Sequence, residues 1–178
     1  DRHDLRSLLT ITIDGEDARD FDDAISIEKI KDGYRLWVHI ADVSYYVRPH
    51  TALDEEAYRR GTSVYVTDRV VPMLPQVLSN GICSLNPQED RFAITAQMDI
   101  GKDGAFHSYQ IYPSVIKSDE RMTYTKVNQI MNGDAKLMQE YRHLLVMISW
   151  MHECAHWIRK RRHDLGAINF DKKESKII

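Results

Sequence analysis

The sequence has little of several things that would decide its class at once. Two cysteines, Cys83 and Cys154, in 178 residues cannot build the disulfide framework on which small secreted domains rely. No stretch approaches the roughly 18 apolar residues that a membrane-spanning helix requires, and the opening DRHDLRS is too polar for the core of an export signal. Eight glycines and five prolines are too few for a collagenous or low-complexity chain, and no internal repeat or Gly/Ser linker marks a boundary. A positive excess is missing too: 24 Lys and Arg stand against 27 Asp and Glu, without the basic surplus of an ordinary nucleic-acid-binding module. What is left, 43% hydrophobic and 29% charged, is the composition of one globular domain long enough to bury a core. Two unpaired thiols and no export signal make a reducing cytoplasm the expected location, away from any membrane.

The charge is unevenly placed. Six acidic residues (Asp14, Glu16, Asp17, Asp20, Asp22, Asp23) fall within ten positions against Arg19 alone, while Arg159, Lys160, Arg161 and Arg162 form a basic run near the other end. Strand patterns fill the first half: Leu9 to Ile13, Ala24 to Ile30 turning at Lys31-Asp32-Gly33 into Tyr34 to Ile40, then Val64 to Val66, Phe92 to Ile100 and Ala105 to Lys117. Thr51 is placed to cap a helix with an acidic first turn, and Pro72 and Pro75 confine what lies between them to loop or short helix. The second half is helical: Thr123 to Met131 ends at Asn132-Gly133, and Asp134 is expected to cap one long helix to about Arg162. Its apolar stripe is Leu137, Tyr141, Leu144, Ile148, Met151 and Ala155. The fold class is therefore mixed α/β, with a β-rich first half and a long helix in the second. The chain opens without methionine and stops as an apolar segment begins at Lys176-Ile177-Ile178, so it reads as a piece of a longer protein.

Carboxylates crowded on one short connection between two strands repel each other, and a divalent cation reverses the sign of that interaction. Mg²⁺ takes oxygen ligands and keeps positions open for water or substrate phosphate, and two such ions about 3.5 to 4 Å apart clamp a phosphodiester. The plain alternative is a solvated acidic turn. Phe21, between Asp20 and Asp22, speaks for a packed segment. An EF-hand fits poorly, since a loop begun at Asp17 puts Arg19 and Phe21 at ligand positions, and one begun at Asp20 puts Ile25 where glycine is needed.

A second motif competes. His152-Glu153-Cys154-Ala155-His156 matches H-E-x-x-H, in which two histidines one helical turn apart hold zinc and the glutamate is general base. The longer form of the motif would need glycine at Arg159 and histidine at Arg162, and His163 is one place late. A hydrogen-bonded packing histidine beside the apolar stripe is the bland reading of His152.

Thr12-Ile13-Asp14-Gly15-Glu16-Asp17-Ala18-Arg19-Asp20-Phe21-Asp22-Asp23-Ala24, followed by Trp37 to Pro49, strongly resembles the catalytic (RNB) domain of the RNase II family. Arg60 to Val66, Pro72 to Pro87 and Gly166 to Phe170 agree in the same order, so the likeness runs along nearly the whole chain. It implies an RNB-type fold and a processive 3′→5′ exoribonuclease that hydrolyses single-stranded RNA to nucleoside 5′-monophosphates with Mg²⁺. It further implies that Asp14, Asp20, Asp22 and Asp23 hold metal, with Asp22 the residue on which cleavage most depends. Tyr65 would stack on the RNA 3′ end and Phe170 would clamp the terminal bases from another side; on residue type alone, a core role is the commoner reading for both. The family domain extends beyond this length. Residues 1–178 are thus expected to be its N-terminal portion, lacking a later arginine and glutamate and weak or inactive alone. A non-catalytic RNA-binding remnant is the remaining reading, against which the four acidic positions count.

Overall fold

The computed structural model describes residues 1–66 and 69–168. Nine strands are described, seven of them in one sheet: β1 (His3–Asp4), β2 (Ile11–Asp14), β3 (Asp23–Ile30), β4 (Gly33–Ala41), β7 (Asp90–Gly101), β8 (Phe106–Lys117) and β9 (Glu120–Thr123), in the order β1-β8-β7-β4-β3-β2-β9. The four middle strands β8-β7-β4-β3 pair antiparallel, β3–β4 and β7–β8 as hairpins, and parallel pairs of β1 with β8 and of β9 with β2 extend the sheet. β5 (Val64–Tyr65) and β6 (Val70–Val71) form a separate two-stranded ribbon. The helices are α1 (Val43–Tyr46), α2 (Ala52–Arg60), α3 (Tyr124–Met131), α4 (Ala135–Glu140) and α5 (Leu145–Asp164). This is the mixed α/β architecture expected, and among the described residues no helix is long and apolar enough to cross a membrane.

Local chemistry explains most of the boundaries. Thr51, Thr123 and Asp134 cap α2, α3 and α4 with side-chain oxygens that accept backbone N–H groups of the first turn. At the β3–β4 turn a Cβ on Gly33 would lie 1.9 Å from the Ile100 carbonyl oxygen, so only glycine lets β4 approach β7 there. At the β7–β8 turn Gly104 has φ of +71°, and a Cβ there would lie 2.3 Å from the Trp157 carbonyl oxygen of α5.

Each face of the sheet has a different core. On one, Ile11, Ile27, Tyr34, Ile100 and Met122 pack against Ile130, Tyr141, Leu144, Met147, Ile148 and Cys154 of the helical segment. On the other, the small side chains of Ala24, Ala41 and Ala93 leave room for Phe21 and Leu85 beside Ile116. That same face holds a polar chain crossing the strands: Thr10 Oγ1 to Ser26 Oγ at 2.7 Å, Ser26 Oγ to His39 Nε2 at 3.1 Å, His39 Nδ1 to Thr95 Oγ1 at 2.8 Å, and Thr95 Oγ1 to Ser114 Oγ at 2.6 Å. It ends on the carbonyls of Leu8 and Ala93, and all five side chains are fully buried.

The structure corrects the expected helix. The segment after Asp134 is two helices, not one, interrupted at Tyr141–Leu144, where Tyr141 N–H reaches back to Leu137 and Leu144 N–H to Tyr141. The tightened turn buries Tyr141 and Leu144 together and brings the Tyr141 hydroxyl within 2.7 Å of Lys126 Nζ. The stripe shifts as a result, with Met147 and Cys154 buried and Ala155 exposed. β1, β6, β9 and α1 had no sequence signal, being two to four residues long.

Candidate active site

Asp14 is the last residue of β2 and Asp23 the first of β3, so the acidic segment is the connection between two paired strands. Its backbone is stitched down at several points. Phe21 N–H donates to Ser84 Oγ at 3.0 Å, Phe21 carbonyl accepts from Leu85 N–H at 2.9 Å, and Asp22 carbonyl accepts from Ala41 N–H at 2.9 Å. The Phe21 ring is 7% exposed in the small core, which places Asp20 and Asp22 on either side of an anchored residue. The turn is thus anchored through its backbone while Glu16, Asp17, Asp22 and Asp23 stay exposed, and its large apolar residue, Phe21, is its peg.

Electrostatics tie the carboxylates together. Burial raises Asp14 above the ordinary carboxylate range, the charges of Asp23 and Asp20 raise it further, and the Arg121 guanidinium and the Thr12 hydroxyl act in the opposite sense. Asp22 is raised by partial burial and then by Asp20 and Asp23. Asp14 Oδ2 is buried with no hydrogen-bond partner, an arrangement that in general costs about 1–3 kcal/mol or more for a charged group. Such an oxygen among like charges is what a hard divalent cation would relieve. Among the described residues no three His, Cys, Asp or Glu side chains form a ready-made cage, so the carboxylates present an open rather than an enclosing donor set. Mg²⁺ suits an open set, since it commonly takes one or two carboxylates and completes its shell with water and substrate phosphate. The acidic residues fit such a cation.

Two cavities border the loop. The first, of about 570 Å³, is lined by Arg19 and Asp20 from the loop, Tyr65 from β5, and Gln76, Ser79 and Asn80 from the segment around a wide π-type turn at Val77–Ile82. Tyr65 is 72% exposed, so the core reading of this tyrosine does not hold. The second, of about 420 Å³, lies between α3, α5 and the sheet, with Asp23, Asn128, His152 and Arg159 among its walls. Phe170 lies outside the described residues.

The H-E-x-x-H reading fails on its glutamate. Glu153 accepts a hydrogen bond from the Tyr34 hydroxyl, Cys154 is buried in the main core, and His152 and His156 are exposed. Of the basic run, Lys160 pairs with Asp164, Arg161 approaches Asp103 at 3.8 Å, and Arg159 alone of the four lines the second cavity.

Sequence reasoning missed Gln76, Ser79 and Asn80 as neighbours of Asp20, and it missed Arg121. Arg121 Nη2 donates to the carbonyls of Gly15 and Glu16 at 2.9 and 2.8 Å. The Pro72 to Pro87 match singled out the first three only as part of a motif, and nothing local marks Arg121.

A family comparison decides between the two motifs: the RNB domain model matches residues 2–178. The chain belongs to the RNB domain family. Within that family it is 53% identical to Ribonuclease R of Vibrio parahaemolyticus, over 99% of this chain and 21% of the relative. It is 51% identical to Ribonuclease R of Escherichia coli, over 99% of this chain and 22% of that one. Among solved structures, Mycoplasma genitalium RNase R in complex with ribose methylated single-stranded RNA superposes with a TM-score of 0.91 at 31% identity, covering 99% of this chain and 28% of that one. This RNB chain thus spans about a fifth of the curated relatives it matches.

Proposed function

We propose that residues 1–178 are the N-terminal, acidic portion of an RNB catalytic domain that hydrolyses single-stranded RNA from the 3′ end to nucleoside 5′-monophosphates with Mg²⁺. The observation that carries this reading is the first cavity, where Asp20 of the carboxylate cluster and the exposed ring of Tyr65 face the same space. An aromatic platform beside a cation site is what cleavage at the end of any RNA strand requires. Stacking accepts every base and contributes about 1–3 kcal/mol for each. The Ribonuclease R names of the relatives, and the single-stranded RNA in the Mycoplasma complex, support the same substrate.

Asp14, Asp20, Asp22 and Asp23 would hold the metal. When bound, the cation supplies a water acidic enough to attack and charge to stabilise the leaving 3′ oxygen. The protein's own share is positional. Asp14 and Asp23 are fixed at facing strand ends, and Asp22 follows the pegged Phe21. Asp22 is the carboxylate on which cleavage would most depend. Tyr65 stacks the terminal base and Phe170 clamps from the other side. Because the chain is a fifth of its relatives, this portion alone is expected to be weak or inactive. The buried free thiols of Cys83 and Cys154 suit a reducing cytoplasm.

The test uses the full-length parent protein and a 5′-labelled single-stranded oligonucleotide. Asp22→Asn should lower cleavage by roughly 10³-fold or more while RNA is still retained in a gel-shift assay. Degradation by Asp22→Asn at the parental rate would sink the assignment.

A further inference from the structure

We infer that Arg121 is the positioning residue of the acidic loop, holding its backbone closed so that Asp14 and the carboxylates that follow it stay placed to receive a cation. The inference rests on the proposed metal role of Asp14, Asp20, Asp22 and Asp23.

Arg121 lies on β9, paired in register with Thr12 two residues before Asp14. Its side chain runs along β2 into the bend of the loop. There Nη2 donates to the Gly15 carbonyl at 2.9 Å and the Glu16 carbonyl at 2.8 Å, with the Ala18 carbonyl at 3.5 Å. The same guanidinium lies 5.4 Å from the centre of the Phe21 ring. One cation therefore gathers the turn that follows Asp14 and touches the peg that precedes Asp22. The loop has a weak closure of its own, a single Ala18 N–H to Gly15 carbonyl bond at 3.2 Å. Without the guanidinium, six acidic side chains on ten residues would open it by mutual repulsion.

Two buried atoms bear on this site. Arg121 Nε has no hydrogen-bond partner, and neither has Asp14 Oδ2. The unused acceptor is one that a bound cation would satisfy, whereas the Nε–H donor can be satisfied only by water or an anionic group. Lysine at this position would keep the charge but lose the reach that brings Nη2 to these carbonyls and the flat guanidinium that lies against the Phe21 ring. The role is thus specific to the guanidinium and separable from net charge. Arg19, the other cation of the loop, lines the RNA-side cavity and makes no such clasp among the contacts described.

The experiment is a Mn²⁺ titration of this chain followed by electron paramagnetic resonance, for the parent, Arg121→Lys and Arg121→Ala, with folding monitored by circular dichroism. Arg121→Lys should remain folded and bind Mn²⁺ roughly tenfold or more weakly, the loss typical of residues that orient metal ligands. Millimolar guanidinium ion should restore binding to Arg121→Ala, and ethylammonium ion should not. Parental Mn²⁺ affinity in folded Arg121→Lys overturns the inference and leaves the metal reading standing, as does a loss of affinity that merely tracks a loss of folded protein. A parent chain that binds no Mn²⁺ removes the metal reading and the inference with it.

Discussion

Two regions of this domain concentrate polar groups, and they are built on opposite terms. The chain from Thr10 through Ser26, His39 and Thr95 to Ser114 is fully buried, and each side chain in it has partners. The acidic loop, a few ångströms of backbone away at Ala24 and Ala41, keeps like charges together and a carboxylate oxygen with no donor. The first arrangement stabilises the sheet, because buried polar groups that are satisfied specify one packing. The second withholds stability at the place where chemistry is proposed, as active sites commonly do. The same sheet face supports both: its small alanines admit Phe21, and Phe21 pegs the charged loop to it.

The largest way to break this contrast is through His39. Replacing it with leucine removes both ring nitrogens and leaves Ser26 and Thr95 without their central partner. The expected cost is about 2–4 kcal/mol, read as a fall in Tm on the order of 10 °C. An unchanged melting curve would show that the polar chain is incidental.

Acid probes the same residue without mutation. Burial lowers His39 from 6.5 to about 4. Between those values the unfolded chain binds a proton that the folded chain does not, so stability falls as pH drops from about 6.5 toward 4, by about 3 kcal/mol in all. The contribution is complete above pH 6.5. In His39→Gln this part of the pH slope should vanish, which melts at pH 7 and pH 4.5 would reveal.

Tyr65→Ala sharpens the functional side. The ring is exposed, so Tm should stay within the range of a surface change, while single-stranded RNA binding by the full-length parent weakens by about 1–3 kcal/mol, roughly 5- to 150-fold. An unchanged affinity would count against the stacking role. The smallest effect is expected at Asp14. Asp14→Asn removes one of the mutually repelling charges and should stabilise the metal-free chain by about 0.5–1 kcal/mol, visible as a slightly raised denaturation midpoint. A clear destabilisation would mean that the ionised carboxylate has a partner in the free protein.

What could be read from sequence divides along the same line. The hairpins, the Thr51 and Asp134 caps and the packed Phe21 follow from local periodicity and side-chain chemistry, which act within a few residues. The carboxylate set came from its density and its family likeness. β9 is four residues long and forms by pairing with β2 more than a hundred positions away, so neither it nor the reach of Arg121 leaves a local trace. The break at Tyr141–Leu144 escaped for a related reason: the apolar stripe runs through it, and only burial against the sheet selects the tightened turn. The meeting of Tyr65, Asn80 and Asp20 is likewise a product of topology.

The most direct measurement is the Tm of this chain with and without millimolar Mg²⁺, for the parent, Asp14→Asn, Asp22→Asn and His39→Gln. A cation held by the folded loop should raise Tm by a few degrees in the parent and in His39→Gln and leave both aspartate variants unmoved. A parent indifferent to Mg²⁺, or an equal rise in all four proteins, would contradict a metal site on the acidic loop.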